Sequence, residues 1–92
     1  MTVLGLTADG KKIVLTTSSG PSSYSTGGFS VTIDEVNYIH GIIEARMTGG
    51  YVVEVSYSGN TVTVIVYSSP GSEVTTGTDL STETVTIVVV GS

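Results

Sequence analysis

There is no cysteine or tryptophan in this 92-residue chain, only one histidine and two prolines, and three basic residues stand against eight acidic ones. Each scarcity removes a class of function. Without cysteine there is no disulfide framework, and nothing reports a redox compartment. His40 is the sole histidine, so a structural zinc site would need carboxylates for its remaining ligands, an unusual donor set. A Ser-His-Asp triad would depend wholly on His40, and no serine sits in Gly-x-Ser-x-Gly. The basic residues are Lys11, Lys12 and Arg46, and the net charge of −5 argues against phosphate neutralisation, so no nucleic acid partner is expected, packaged DNA included. No apolar run approaches the roughly 20 residues of a membrane-spanning helix, and no membrane partner is expected. Met1 to Gly10 lacks a basic start followed by an apolar core, which reads as a soluble product made inside a cell, or one assembled there into something larger.

What is present is β-branched and glycine-punctuated. Charged residues make up 12%, about half the usual ~25%, while 39% of the chain is hydrophobic. Net charge is too low and apolar content too high for disorder. Threonine, valine and serine fit pleated, half-buried surfaces better than helices. One all-β domain spanning residues 1–92 follows. A domain of this size buries only about two thirds of its extended surface, so a homo-oligomer, with a trimer favoured, is an expected source of added stability.

The most informative segment runs from Gly49 to Ser69. With Gly59-Asn60 as a two-residue loop, Ser58 faces Thr61, Tyr57 faces Val62, Val55 faces Val64 and Val53 faces Val66. One face is then an unbroken apolar row. The other pairs Ser56 with Thr63, Glu54 with Ile65 and Val52 with Tyr67. A slip of one residue would bury Glu54 and the threonines, so pattern and turn agree on one register.

A second hairpin is expected around Asp9-Gly10, with strands near 2–8 and 11–17. It would set Leu6 against Ile13 and Leu4 against Leu15 on one face, with Val3, Gly5 and Thr7 against Thr16, Val14 and Lys12 on the other. Ser18 to Gly28 reads as a loop, either a surface connection or an arm whose one large side chain, Tyr24, contacts a partner. Phe29 to Val36 holds a capping-box pattern, Thr32 with Glu35, and fits a helical turn or a strand over 29–33 equally well. Alternation over 38–47 sets Ile39, Gly41, Ile43 and Ala45 on one face, with Tyr38, His40, Ile42, Glu44 and Arg46 on the other. A second loop starts at Pro70. The last strand becomes continuously apolar at Ile87 to Val90, which implies burial on both faces. The architecture expected is a small antiparallel β-sandwich or barrel, jelly-roll-like, with six or seven strands.

Chemistry-bearing clusters are sparse. Asp34 and Glu35 adjoin in a turn, and Asp79 and Glu83 flank the last strand, but no twelve-residue calcium loop surrounds them. A carboxylate pair for glycoside hydrolysis needs a cleft, for which so small a core leaves little room. Gly27-Gly28 and Gly49-Gly50 punctuate strands and match no phosphate-binding motif. Tyr24, Tyr38, Tyr51, Tyr57 and Tyr67 would serve a sugar-binding platform only if two lay coplanar on one exposed face; packing at the core and its rim is the simpler use. No catalytic, cofactor or metal role is expected.

The order of motifs carries more than any one of them. Gly10-Lys11-Lys12-Ile13-Val14 is followed by Ser23-Tyr24-Ser25-Thr26-Gly27-Gly28, then Thr32-Ile33-Asp34-Glu35-Val36. Gly49-Gly50-Tyr51-Val52 comes next, and Gly77-Thr78-Asp79-Leu80-Ser81 leads into Thr84-Val85-Thr86-Ile87 and Gly91. This series resembles small structural proteins of tailed phages and related viruses, the head decoration and minor virion proteins. It departs from them at Ser25, where proline is usual, and in its valine-rich central strands. The resemblance implies a non-catalytic capsid decoration or cement protein of the virion, assembled in the host cytoplasm, with the major capsid protein or other virion proteins as partners. Contacts with a partner or a second copy are expected at Tyr24, Pro70, Val88, Val89 and Val90. The rival readings are an extracellular adhesin, pilus or S-layer-like module, which would add a strand at an edge such as 84–90, and, more distantly, a carbohydrate-binding domain.

Overall fold

The computed structural model describes residues 2–6, 11–69 and 71–92, with side chains for 11–69 and 71–92. The chain is all-β. Its strands are β1 (Thr2–Leu6), β2 (Lys12–Ser19), β3 (Phe29–Thr32), β4 (Ile39–Met47), β5 (Val52–Ser58), β6 (Thr61–Ser69), β7 (Ser72–Glu73) and β8 (Thr84–Gly91). One antiparallel sheet runs β1-β2-β8-β4, and the other runs β3-β6-β5, with the two-residue β7 against the end of β6. Valines and isoleucines from both sheets share one core, including Val14, Val31, Val62, Val64, Val66, Val85, Ile87 and Val89. The result is a β-sandwich.

The central hairpin has the register that its sequence dictates. Ser58 pairs with Thr61, Tyr57 with Val62, Val55 with Val64 and Val53 with Val66. Gly59 has φ of 60° and Asn60 does not have a positive φ, so the turn is the type II′ form with glycine first. Its tip is clamped: Ile39 N–H donates to the Gly59 carbonyl at 2.7 Å and Ile33 N–H to that of Asn60 at 2.8 Å.

Elsewhere bulges reset the pattern. In β1, Gly5 faces Ile13 and Leu6 faces Lys12, with a register shift between Val3 and Gly5. The expected Leu6–Ile13 and Leu4–Leu15 pairs do not form, and the Asp9-Gly10 turn lies outside the described residues. In β4 the register shifts twice, at His40 and at Ile43. Each extra residue reverses which face the following side chains take. The core row is therefore Ile39, Ile42, Ala45 and Met47, each opposite a core-facing position of β8. Ile43, expected beside Ile39, is instead 59% exposed. Phe29–Thr32 resolves as strand, followed by a turn at Asp34-Glu35.

The two long loops bind each other. Tyr24 N–H donates to the Thr78 carbonyl, Gly77 N–H to that of Tyr24, and Leu80 N–H to that of Pro21. Gly28, at φ 102°, lies so close to Val64 that an added Cβ would meet its carbonyl oxygen at 2.2 Å. Only glycine fits there.

Candidate interaction surfaces

Four of the five expected contact residues lie among the described residues, and two of these turn inwards. Tyr24 is wholly buried, which corrects its expected role as a partner contact. On the side of β6 away from β5, β3 pairing ends at Val64 and β7 pairing begins at Tyr67. In that gap the Tyr24 hydroxyl accepts from Val66 N–H at 3.1 Å and donates to Glu73 Oε2 at 2.8 Å. The same carboxylate oxygen accepts from Gly27 N–H at 2.9 Å. The phenol thus completes the sheet where no strand reaches. Burial raises its pKa above the usual tyrosine value, with the Glu73 carboxylate adding to the rise against the lowering effect of the Val66 N–H.

Val89 is the second inward residue. It is fully buried in the core, opposite Val14 and Ile42, and cannot touch a partner. Val88 and Val90 project from the other face of β8, where Val88 lies opposite Leu15 and Val90 opposite Ile13. Val88 is only 8% exposed yet sits outside the core cluster. Leu15, Ile13 and Val90 are half-buried, so the outer face of this sheet is an apolar strip. The exposed Glu44–Arg46 ion pair, 3.5 Å apart, flanks it on β4. Pro70 lies outside the described residues. The last strand is also no edge: β8 pairs with β2 on one side and β4 on the other, so strand addition at 84–90 is ruled out.

A groove of about 680 Å³ opens on the other side of the sandwich, between β4 and β5. Ile42, Ile43, Val53, Val55 and Tyr57 line it, and the Tyr57 hydroxyl bridges it to the His40 carbonyl at 2.9 Å. These strands belong to different sheets and leave their facing edges unpaired among the described residues.

The polar residues serve turns and strand ends. His40 Nε2 lies 2.9 Å from Ser92 Oγ, both exposed. Asp79 Oδ1 accepts from the Ser81 hydroxyl and N–H, and these bonds lower its pKa. Glu83 accepts from the Thr48 hydroxyl at 2.8 Å. Among the described residues, no three His, Cys, Asp or Glu side chains gather as a metal site. Tyr38 and Tyr57 are the most exposed tyrosines, at 65% and 43%. The chain matches no protein-family model, no curated protein and no solved structure.

Sequence reasoning missed three features here. The groove depends on which strands end up at the sheet edges, which no local pattern states. The phase of β4 depends on its bulges. The Tyr24 lock joins residues 42 and 49 positions apart.

Proposed function

We propose that this chain is a non-catalytic virion structural protein, a capsid decoration protein that docks on the lattice of the major capsid protein. The observation that carries this reading is the apolar strip of Ile13, Leu15, Val88 and Val90 on the outer face of the β1-β2-β8-β4 sheet. Val88 is already nearly buried there, and the half-buried Ile13, Leu15 and Val90 leave apolar surface that a docked partner would cover. A stiff sandwich with loops tied to each other presents it as a preformed surface, so little conformational entropy is lost on docking. Repetition over a capsid lattice then multiplies modest affinity per copy through effective concentration. The ordered motif series, from Gly10-Lys11-Lys12 to Gly77-Thr78-Asp79-Leu80-Ser81, agrees with the same role.

The test is co-sedimentation with shells assembled from a major capsid protein of tailed phages. Saturable binding at a fixed ratio to capsid subunits is expected, and Val90→Lys should abolish it while leaving the fold intact. Failure of the wild-type chain to pellet with shells would overturn the proposal. The adhesin or pilus-type reading keeps one specific support, the edge of β5 that is unpaired among the described residues, and predicts exchange of strands with a neighbouring subunit at that edge.

A further inference from the structure

Exposed strand edges are templates for pairing, and proteins blunt them by shortening, bulging, charging or covering them. Among the described residues, four of the five edge strands carry such a device. β7 has only two residues and β3 only four, β1 has a register shift, and β4 has two. β5 has none. It holds seven residues in unbroken register with β6, without proline, lysine or bulge, and its one charge is Glu54.

We propose that β5 pairs antiparallel with β5 of a second copy of this chain about a two-fold axis through Val55. The hairpin geometry determines which groups are free. In a two-residue hairpin the residues flanking the loop exchange hydrogen bonds, so Ser58, Ser56, Glu54 and Val52 direct their amides to β6. Tyr57, Val55 and Val53 direct theirs outward to the open edge. These same three side chains face the core side. A copy that continues both the hydrogen bonding and the apolar row must therefore pair odd-numbered residues with odd-numbered ones.

Charge and overlap select among the remaining registers. An axis through Glu54 sets the carboxylate against its own copy, a like-charge pair. An axis through Ser56 leaves Val53 opposite the turn glycine. With the axis through Val55, all seven residues pair. Val55 meets Val55, Val53 meets Tyr57, and Glu54 meets Ser56 across the solvent face. Roughly six backbone hydrogen bonds join the copies, and the apolar rows merge beside the Ile42–Val55 groove. The contact is isologous and closes at two copies, where the virion reading favours a trimer. It uses a different surface from the capsid-docking strip and stands whether or not that docking occurs.

Sedimentation equilibrium on the full chain, from about 1 µM to about 500 µM, tests the pairing through Ser56. Ser56 is exposed on the solvent face, so its replacement leaves the core untouched. Ser56→Glu creates two like-charge pairs with Glu54 and should weaken the dimer roughly tenfold. Ser56→Lys creates two opposite-charge pairs and should tighten it. Val55→Pro removes an outward N–H that β6 does not use, and should give a folded monomer by circular dichroism and scattering. A wild-type monomer across the range overturns the proposal and leaves the edge to a strand of another protein. A dimer that both Ser56 variants leave unchanged, or shift the same way, also overturns it.

Discussion

Replacing Tyr24 with phenylalanine removes one oxygen from the interior and tests whether that oxygen holds the sandwich together. The ring remains, so the packing of the loops is nearly conserved. What is lost is the acceptor for Val66 N–H and the donor to Glu73. Val66 is fully buried, and its N–H points into the gap between β3 and β7 with no strand to take it. An orphaned buried amide costs about 1–3 kcal/mol, and the lost bond to a carboxylate adds to that, so a destabilisation of about 2–3 kcal/mol is expected. Glu73 keeps Gly27 N–H, which limits the loss on its side. With a urea m-value of about 1–1.5 kcal/mol/M for so small a domain, the midpoint should fall by about 2 M.

A pH series separates this account from simple loss of packing. The folded pKa of Tyr24 is raised, chiefly by burial, above the value it takes in the unfolded chain. The neutral phenol is therefore favoured by folding. That contribution is complete below about pH 10 and is lost as pH rises through the folded pKa. Wild-type stability should decline on the alkaline side, and Tyr24→Phe should decline less steeply. Tyr67, also raised by burial and by the charges of Glu54 and Glu73, leaves a residual slope. A midpoint within about 0.3 M of wild type, with an unchanged alkaline limb, would refute the role assigned to the hydroxyl.

Two further predictions follow from burial. Val89→Lys places an ammonium in the core and should prevent folding, whereas Val90→Lys, whose stem can lie along the outer face, should cost under about 1.5 kcal/mol; circular dichroism melts distinguish them, and similar melts for both would refute the division of β8 into two faces. Thr16 is 2% exposed and its Oγ1 has no hydrogen-bond partner among the described residues. Thr16→Val removes that unmatched hydroxyl without changing side-chain shape and should stabilise by about 1 kcal/mol, read as a rise in Tm of about 4–8 °C.

How much of this was legible beforehand depended on whether local rules decided the outcome. The β5–β6 hairpin was legible in full, because Gly59-Asn60 sets the turn and the valine parity permits one register. The apolar run of β8 implies burial on both faces, and on the outer one Val88 is buried but Val90 only half-buried; which valine faces the core depends on pairing with β2 and β4. Bulges defeated the reading of β4, since each inserted residue inverts the side-chain phase and neither His40 nor Ile43 advertises it. A register shift likewise displaced β1. Tyr24 is the one large side chain of its loop, which in sequence reads either as a surface connection or as a partner-contacting arm. Its true environment is built by Val66, Gly27 and Glu73, residues that only the tertiary fold brings near. The surfaces suited to association were the least legible part, because an edge or an outer face exists only once strand order is set.

The claim that this sandwich works as a docking surface is tested most directly by electron cryomicroscopy of shells saturated with the chain. The account predicts ordered density at regular lattice positions, with the outer face of the β1-β2-β8-β4 sheet, at Leu15 and Val90, seated on the shell. Density that meets the shell through the paired loops around Gly27 and Gly77 would contradict it, as would shells that remain bare at saturating concentration.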